Sequence, residues 1–249
     1  MNPDRIIAVR NDKTVYRDGS LCIKVFGKTY SKADVLCEAL NHARAEETAL
    51  HIPEIKEVCV VDGKWAIVSD YIKGKTLERL MTECPDKKDE YLDLFADLQL
   101  EMHRQSCPLL TKLSDKLNSR ILQTDFDATT RYELHTRLDA MPKQMNLCHG
   151  DFNPSNIIIA ENGTPYIIDW AHAAQGNAEA DVARTYLLFW LAGDISGAEK
   201  YLGLFSQKSG KDKKDIQKWM PLVAAAQTAK GNEKEREFLN SWVNVVDYE

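Results

Sequence analysis

Four polar residues, His149, Asp151, Asn156 and Asp169, gather around one stretch, LCHGDFNPSNIIIAENGTPYIIDW, which runs from 147 to 170. Two carboxylates and a carboxamide at these spacings suit phosphoryl transfer. That reaction asks little covalent chemistry of a protein; it needs a base to orient the nucleophile and ligands to hold metal and phosphates in line. Asp151 follows Gly150 in a tight turn, where it can accept a proton from a substrate hydroxyl. Asn156 comes five residues later and Asp169 ends a second apolar run, so both can reach Mg2+ from adjacent strand ends. Asp and Asn are also common turn formers, and any one of these residues alone reads as structural. Together they read as a site.

Local rules place them around a hairpin. Ile157-Ile158-Ile159-Ala160 is a short β-branched run, Asn162-Gly163 is a strong hairpin-turn signal, and Pro165-Tyr166-Ile167-Ile168 brings the chain back. On these residues the chain resembles the aminoglycoside phosphotransferase and choline kinase-like family. HGDFNPSN matches its His-x-Asp-x-x-x-x-Asn motif, and the similarity continues through Ile168-Asp169-Trp170, Gly176-Asn177 and Asp181-Val182-Ala183. It runs from about Cys22 to Arg184 and fades beyond. The resemblance implies an α+β, bilobal protein-kinase-like fold, with a small N-terminal antiparallel sheet carrying one helix and a larger, mainly helical C-terminal lobe. It also implies Asp151 as catalytic base, Asn156 and Asp169 as Mg2+ ligands, and Asp181 as a buried acid bracing the catalytic loop. His149 is expected to pack beneath the catalytic turn, and Asn153 to line the acceptor site.

The elements that must position these groups divide near residue 72, giving an N-terminal nucleotide-binding lobe (1–72) and a C-terminal catalytic and acceptor-binding lobe (73–249). Val15-Tyr16-Arg17 and Leu21–Phe26 flank Asp18-Gly19, Val58–Val61 and Trp65–Val68 flank Asp62-Gly63, and both pairs read as hairpins. Between them a helix is expected from about Ala33 to Leu50, opened by Ser31 three residues before Asp34. Lys24, in mid-strand, resembles the strand lysine that grips the α- and β-phosphates, and Glu38 on the helix is its best anionic partner. No multi-glycine loop precedes Lys24; only Gly19, helped by Ser20, offers a tight turn to phosphate. The connector Ser69–Gly74 would carry the adenine, through backbone groups of Asp70 and Ile72, with Ile158 or Ile168 beneath the base. ATP is the expected donor, and nothing in the sequence separates it from GTP.

Only eleven residues separate Asp169 from Asp181. A protein kinase needs a longer segment there, ending in an Ala-Pro-Glu-like motif, so the reading is a small-molecule acceptor. Most of the net charge of −6 falls after residue 72. With Tyr186, Trp190, Trp219, Trp242 and Tyr248, and acids such as Asp194, Glu233 and Glu235, that region would suit a cationic amine. Aminoglycosides, amino alcohols and sugar derivatives compete as acceptors; a solvated acidic surface explains the same charges. The acidic balance gives no footprint for nucleic acid. Charges come too early for a signal peptide, no apolar stretch reaches membrane-spanning length, and the six cysteines carry no paired spacing. A cytoplasmic enzyme with reduced thiols and no membrane partner is expected; oligomeric state leaves no trace. His103 and Cys107, four apart, read as a helix flank rather than a metal pair, and His172 as a turn cap. The rival class is a catalytically silent nucleotide-binding module acting as sensor or partner. Such modules lose the base, the lysine or a metal ligand, and here Lys24, Asp151, Asn156 and Asp169 are all present.

Overall fold

The computed structural model describes residues 5–10 and 12–243. Strands β1 (Arg5–Arg10), β2 (Lys13–Asp18) and β3 (Leu21–Phe26) lead into helix α1 (Lys32–Glu46). Strands β4 (Ile55–Val61), β5 (Lys64–Asp70) and β6 (Gly74–Thr76) and helix α2 (Leu77–Glu83) follow. Helices α3 (Lys88–His103), α4 (Leu113–Leu122) and α5 (Ala128–Ala140) precede β7 (Asn146–Cys148). The hairpin β8 (Ile157–Ala160) and β9 (Pro165–Ile167) comes next, then β10 (Ala174–Gly176). Helices α6 (Ala178–Leu191), α7 (Ile195–Ser209), α8 (Lys213–Gln217), α9 (Met220–Thr228) and α10 (Glu233–Val243) complete the described chain. Two compact units result: residues up to Glu83 with Pro154–Ala173, and Cys84–Asn153 with the residues from Ala174 on.

The first unit is built on an antiparallel sheet of order β1-β2-β3-β5-β4. Successive strand residues point to opposite faces. Ile23 and Val25 of β3 therefore pack with Ala66 and Val68 on one side. Phe26 and Ile67 pack on the other against Val35 and Ala39 of α1. Each large aliphatic side chain so buried contributes roughly 1.5–3 kcal/mol. Lys24 pairs across the strands with Ile67, so it stands on the α1 face. The helix starts where the sequence says: Ser31 accepts from the Asp34 N–H, and the Asp34 carboxylate accepts from the Ser31 N–H.

A second small sheet, β6-β8-β9, holds the hairpin in this unit. Its turn is the Asn162-Gly163 pair, with Gly163 at φ 86. The Thr164 N–H donates to Asn162 Oδ1 at 3.0 Å. The second unit carries a short ladder pairing β7 with β10, Cys148 opposite Ala174. Helix α6 is buried along most of its length, Glu179, Asp181 and Arg184 included. Phe95 of α3 meets Phe152, Phe189 and Tyr201 in the aromatic core of this unit. All six cysteines are free thiols, and among the described residues no helix is long and apolar enough to cross a membrane.

Gly74 faces Ala160 in the β6–β8 ladder. A Cβ there would stand 2.2 Å from the Ile159 carbonyl oxygen, a backbone atom with no room to yield. Gly74→Ala should therefore destabilise the protein by about 1–3 kcal/mol. Gly203→Ala, inside α7 with its nearest atom at 3.7 Å, should be neutral or gain up to about 1 kcal/mol. Urea midpoints of the two variants check the pair.

Candidate active site

In the first unit the strand alternation that turns Lys24 toward α1 brings its ammonium between two carboxylates. Its Nζ lies 2.6 Å from Glu38 Oε1 and 2.9 Å from Asp169 Oδ1. Burial alone would lower the lysine pKa, but Asp169 and then Glu38 outweigh it and hold the group above the ordinary lysine range. A second cation, Lys13, reaches Glu38 at 2.9 Å while lying over the rings of Phe26 and Tyr30. The sequence reading missed Lys13, although it pairs with Phe26 in the β2–β3 register. Asp169 itself adopts a left-handed backbone, φ 64 and ψ 61. A non-glycine residue in that region stores strain that the surroundings must hold, a pattern common at functional sites. The Ile168 N–H donates to the Asn156 carbonyl at 2.9 Å, tying the two ends of the hairpin together.

Lys24, Glu38, Asn156 and Asp169 line one cavity of about 290 Å³, and Asp70 and Ile72 line it as well. Ile67, Ile158 and Ile168 supply apolar wall. The Asp70 N–H is engaged with the Glu54 carbonyl at 3.0 Å. The adjacent Tyr71 N–H donates to Ser20 at 2.8 Å. Gly19 and Ser20, the expected phosphate turn, do not line the cavity; they form the β2–β3 turn and anchor the connector instead. Asn156 and Asp169 present amide and carboxylate oxygens to one space, a hard donor set that fits Mg2+.

In the second unit Asp151 follows Gly150, whose φ of 75 makes the sharp turn. Asp181 holds that turn from below. Its carboxylate accepts from the Gly150 N–H at 2.7 Å, the His149 N–H at 3.2 Å, Gln99 Nε2 at 3.3 Å and His103 Nε2 at 3.1 Å. Complete burial would raise the Asp181 pKa, but His103, the Gly150 N–H and His149 bring it below the usual carboxylate value. His149 is fully buried, and its Nδ1 accepts from the Asp151 N–H at 3.2 Å. Asn153 Nδ2 donates to the Asp151 carbonyl at 2.9 Å and to its carboxylate at 3.4 Å. His103, read from sequence as a helix flank, thus belongs to this brace.

Sequence reasoning also missed the cations around Asp151. Arg184 Nη2 lies 4.0 Å from Asp151 Oδ1. Arg120 of α4 and Lys230, just past α9, also feel the Asp151 charge. Arg184 was legible, three residues after Asp181 and so on a neighbouring helical face; nothing marked Arg120 or Lys230. The aromatic residues expected to wall a cationic acceptor touch one another. Tyr186, Trp190 and Trp242 pack on one another, and Trp190 stacks on Phe238. Trp219 is buried. Of the acids, Asp194 binds Lys88, Glu233 binds Arg236 and Glu235 accepts from Gln227. Tyr248 lies outside the described residues.

Residues 10–212 match the phosphotransferase enzyme family (APH). The chain belongs to that family. Among solved structures, a thermostable mutant of the aminoglycoside phosphotransferase APH(4)-Ia, in its apo form, is 18% identical with a TM-score of 0.69, covering 96% of this chain and 91% of its own. The choline kinase LicA from Streptococcus pneumoniae is 16% identical, TM-score 0.63, over 96% and 87%. A choline/ethanolamine kinase family protein from Mesorhizobium loti is 16% identical, TM-score 0.60, over 100% and 83%. No curated protein sequence matches significantly. The phosphotransferase therefore has the α+β, protein-kinase-like fold that its catalytic motif implied.

Removing the brace should cost stability first. Asp181→Ala leaves four donors without their acceptor in a buried space, and breaking a buried charged network costs about 3–5 kcal/mol. A urea titration at pH 7 should show that loss.

Proposed function

We propose that this phosphotransferase is a small-molecule kinase that moves the γ-phosphoryl group of ATP to a hydroxyl of a small acceptor. The observation that carries the reading is the Lys24 ammonium shared by Glu38 and Asp169 in a cavity that Asn156 also lines. A lysine so fixed presents its charge to α- and β-phosphates, with Glu38 orienting it. The connector offers the Asp70 carbonyl and the Ile72 N–H to a base edge. Complexes of APH(4)-Ia mutants with AMP-PNP and hygromycin B, and with ADP and hygromycin B, support by likeness a nucleotide donor and a small-molecule acceptor. Asn156 and Asp169 would hold Mg2+, which when bound neutralises charge on the transferring phosphates.

Asp151 serves as base. The acceptor oxygen forms a bond to the γ-phosphorus, the bond to the bridging oxygen breaks to leave ADP, and the hydroxyl proton passes to the Asp151 carboxylate. Asn153 orients that carboxylate, and Asp181 keeps the turn that carries it. The eleven residues between Asp169 and Asp181 are taken up by a short turn, β10 and the start of α6. That leaves no span for a peptide platform, which favours a small acceptor over a protein. A silent module would have no use for the intact set of Lys24, Asp151, Asn156 and Asp169.

Mg2+-dependent ADP release over a panel of hydroxylated metabolites tests the proposal. An acceptor that stimulates release should lose at least about 100-fold in kcat with Asp151→Asn, while the Kd for ADP stays within about twofold. Near-normal turnover in that variant would mean that another group is the base.

A further inference from the structure

We propose that the acceptor is an anion, carrying a phosphate or carboxylate group beside its hydroxyl, and that Arg184, Arg120 and Lys230 receive that group next to Asp151. The inference rests on the kinase reading of the same site and narrows its substrate class.

The first observation is Arg184. It is nine-tenths buried, with 9% of its surface exposed. A guanidinium carries five N–H donors in a fixed fork, and none of the Arg184 nitrogens is sealed from solvent without a partner, so the fork is open to a ligand. Among the described residues the Arg184 side chain makes no hydrogen bond; its one ion contact, with Asp151, is at 4.0 Å, too long for one. A planar fork held this way matches a bidentate anion. Burial works against a charge at this position.

The second observation is the charge balance. Three cations, Arg184, Arg120 and Lys230, bear on Asp151. Two further acids bear on this cluster. Glu235 acts on Arg184 and Lys230 and already accepts from Gln227 at 2.9 Å and from Asn232. Asp181 acts on Arg184 while its carboxylate is taken up by the His149-Gly150 N–H groups, Gln99 and His103. Among the described residues neither of those two acids makes an ion pair with Arg184, Arg120 or Lys230, and a cationic acceptor would add a fourth charge of the same sign beside them. An anionic group completes the set. Lost hydration, then Arg184 and Arg120, push Lys230 down to about 8, against the opposing pull of Asp151 and Glu235, although much of the residue meets solvent. Lys230 is therefore charged below pH 8 and neutral above it, so anion affinity falls as pH rises through that value. A bound anion shifts the midpoint upward.

Titration of inorganic phosphate and, separately, acetate into the full chain saturated with ADP and Mg2+, at constant ionic strength, tests this without needing turnover. Phosphate, acetate or both should bind. Arg184→Gln should weaken binding about tenfold and Arg120→Gln severalfold, with ADP affinity unchanged in each. Arg184→Lys, which keeps charge but not the fork, should fall between. The probe that responds to Arg184 names the group, phosphate ester or carboxylate. Affinity for the anion that binds, counted for phosphate on its dianion, should also drop between pH 7 and 9 in the native protein, and less so in Lys230→Met. Three results would overturn the proposal: neither anion binding, anion binding that ignores both arginine variants, or competition from AMP-PNP but not ADP, which would give the cluster to the γ-phosphate. Failure of the kinase reading shows elsewhere, as absent ADP binding or turnover that survives Asp151→Asn.

Discussion

The first unit is organised around a single ammonium that should not, on hydrophobic grounds, be where it is. Lys24 occupies the α1-facing side of β3, among residues that otherwise bury Phe26, Ile67, Val35 and Ala39. Withdrawing such a charge from water costs several kcal/mol unless it is paired. Two carboxylates from distant parts of the chain meet that need, Glu38 on the next helix and Asp169 at the end of the hairpin. This constraint fixes the rotation of α1, since Glu38 must face the sheet. It also fixes the end of β9, where Asp169 adopts a left-handed backbone. The result is a positive charge held rigidly in a cavity with oxygen donors beside it.

The second unit uses the same physics with the sign reversed. Asp181, a buried carboxylate on α6, is surrounded by backbone and side-chain donors of the Asp151 turn and of α3. It converts the flexible stretch His149-Gly150-Asp151 into a defined turn and leaves Asp151 one residue beyond the anchored N–H groups. Each buried charge thus makes a catalytic position rigid by demanding partners from remote segments. Such networks are costly when half-satisfied, and they specify geometry when complete.

Much of this was legible in the sequence because it rests on short-range signals. Asn162-Gly163 announced the hairpin, the Ser31–Asp34 pair announced the start of α1, and the resemblance of the strand around Lys24 pointed to Glu38 on that helix as its partner. The motif around Asp151 carried the family. Long-range packing left no comparable mark. Pairing of β6 with β8 brings residues 154–173 into the unit formed by the N-terminal strands. The Tyr71 N–H donates to the Ser20 carbonyl, tying the Gly19-Ser20 turn to the connector, a contact that no local signal marks. Tyr186, Trp190, Phe238 and Trp242 pack on each other between α6 and α10, a contact between distant segments that the sequence pattern did not announce. Arg120 and Lys230 lie far from Asp151 in sequence, so their shared neighbourhood is purely a property of the fold.

The claim that most of the structure turns on is that the Lys24 ion triad exists to hold a nucleotide rather than to hold the sheet. Calorimetric titration of AMP-PNP with Mg2+ into the native protein and Lys24→Met tests it most directly. The account predicts at least a tenfold loss of affinity, about 1.4 kcal/mol or more, in a variant that stays folded. Its urea midpoint falls, since removing one partner of a buried ion pair leaves the Glu38 and Asp169 carboxylates without this cation. Unchanged nucleotide affinity together with a large fall in stability would contradict it and make the triad a structural device alone.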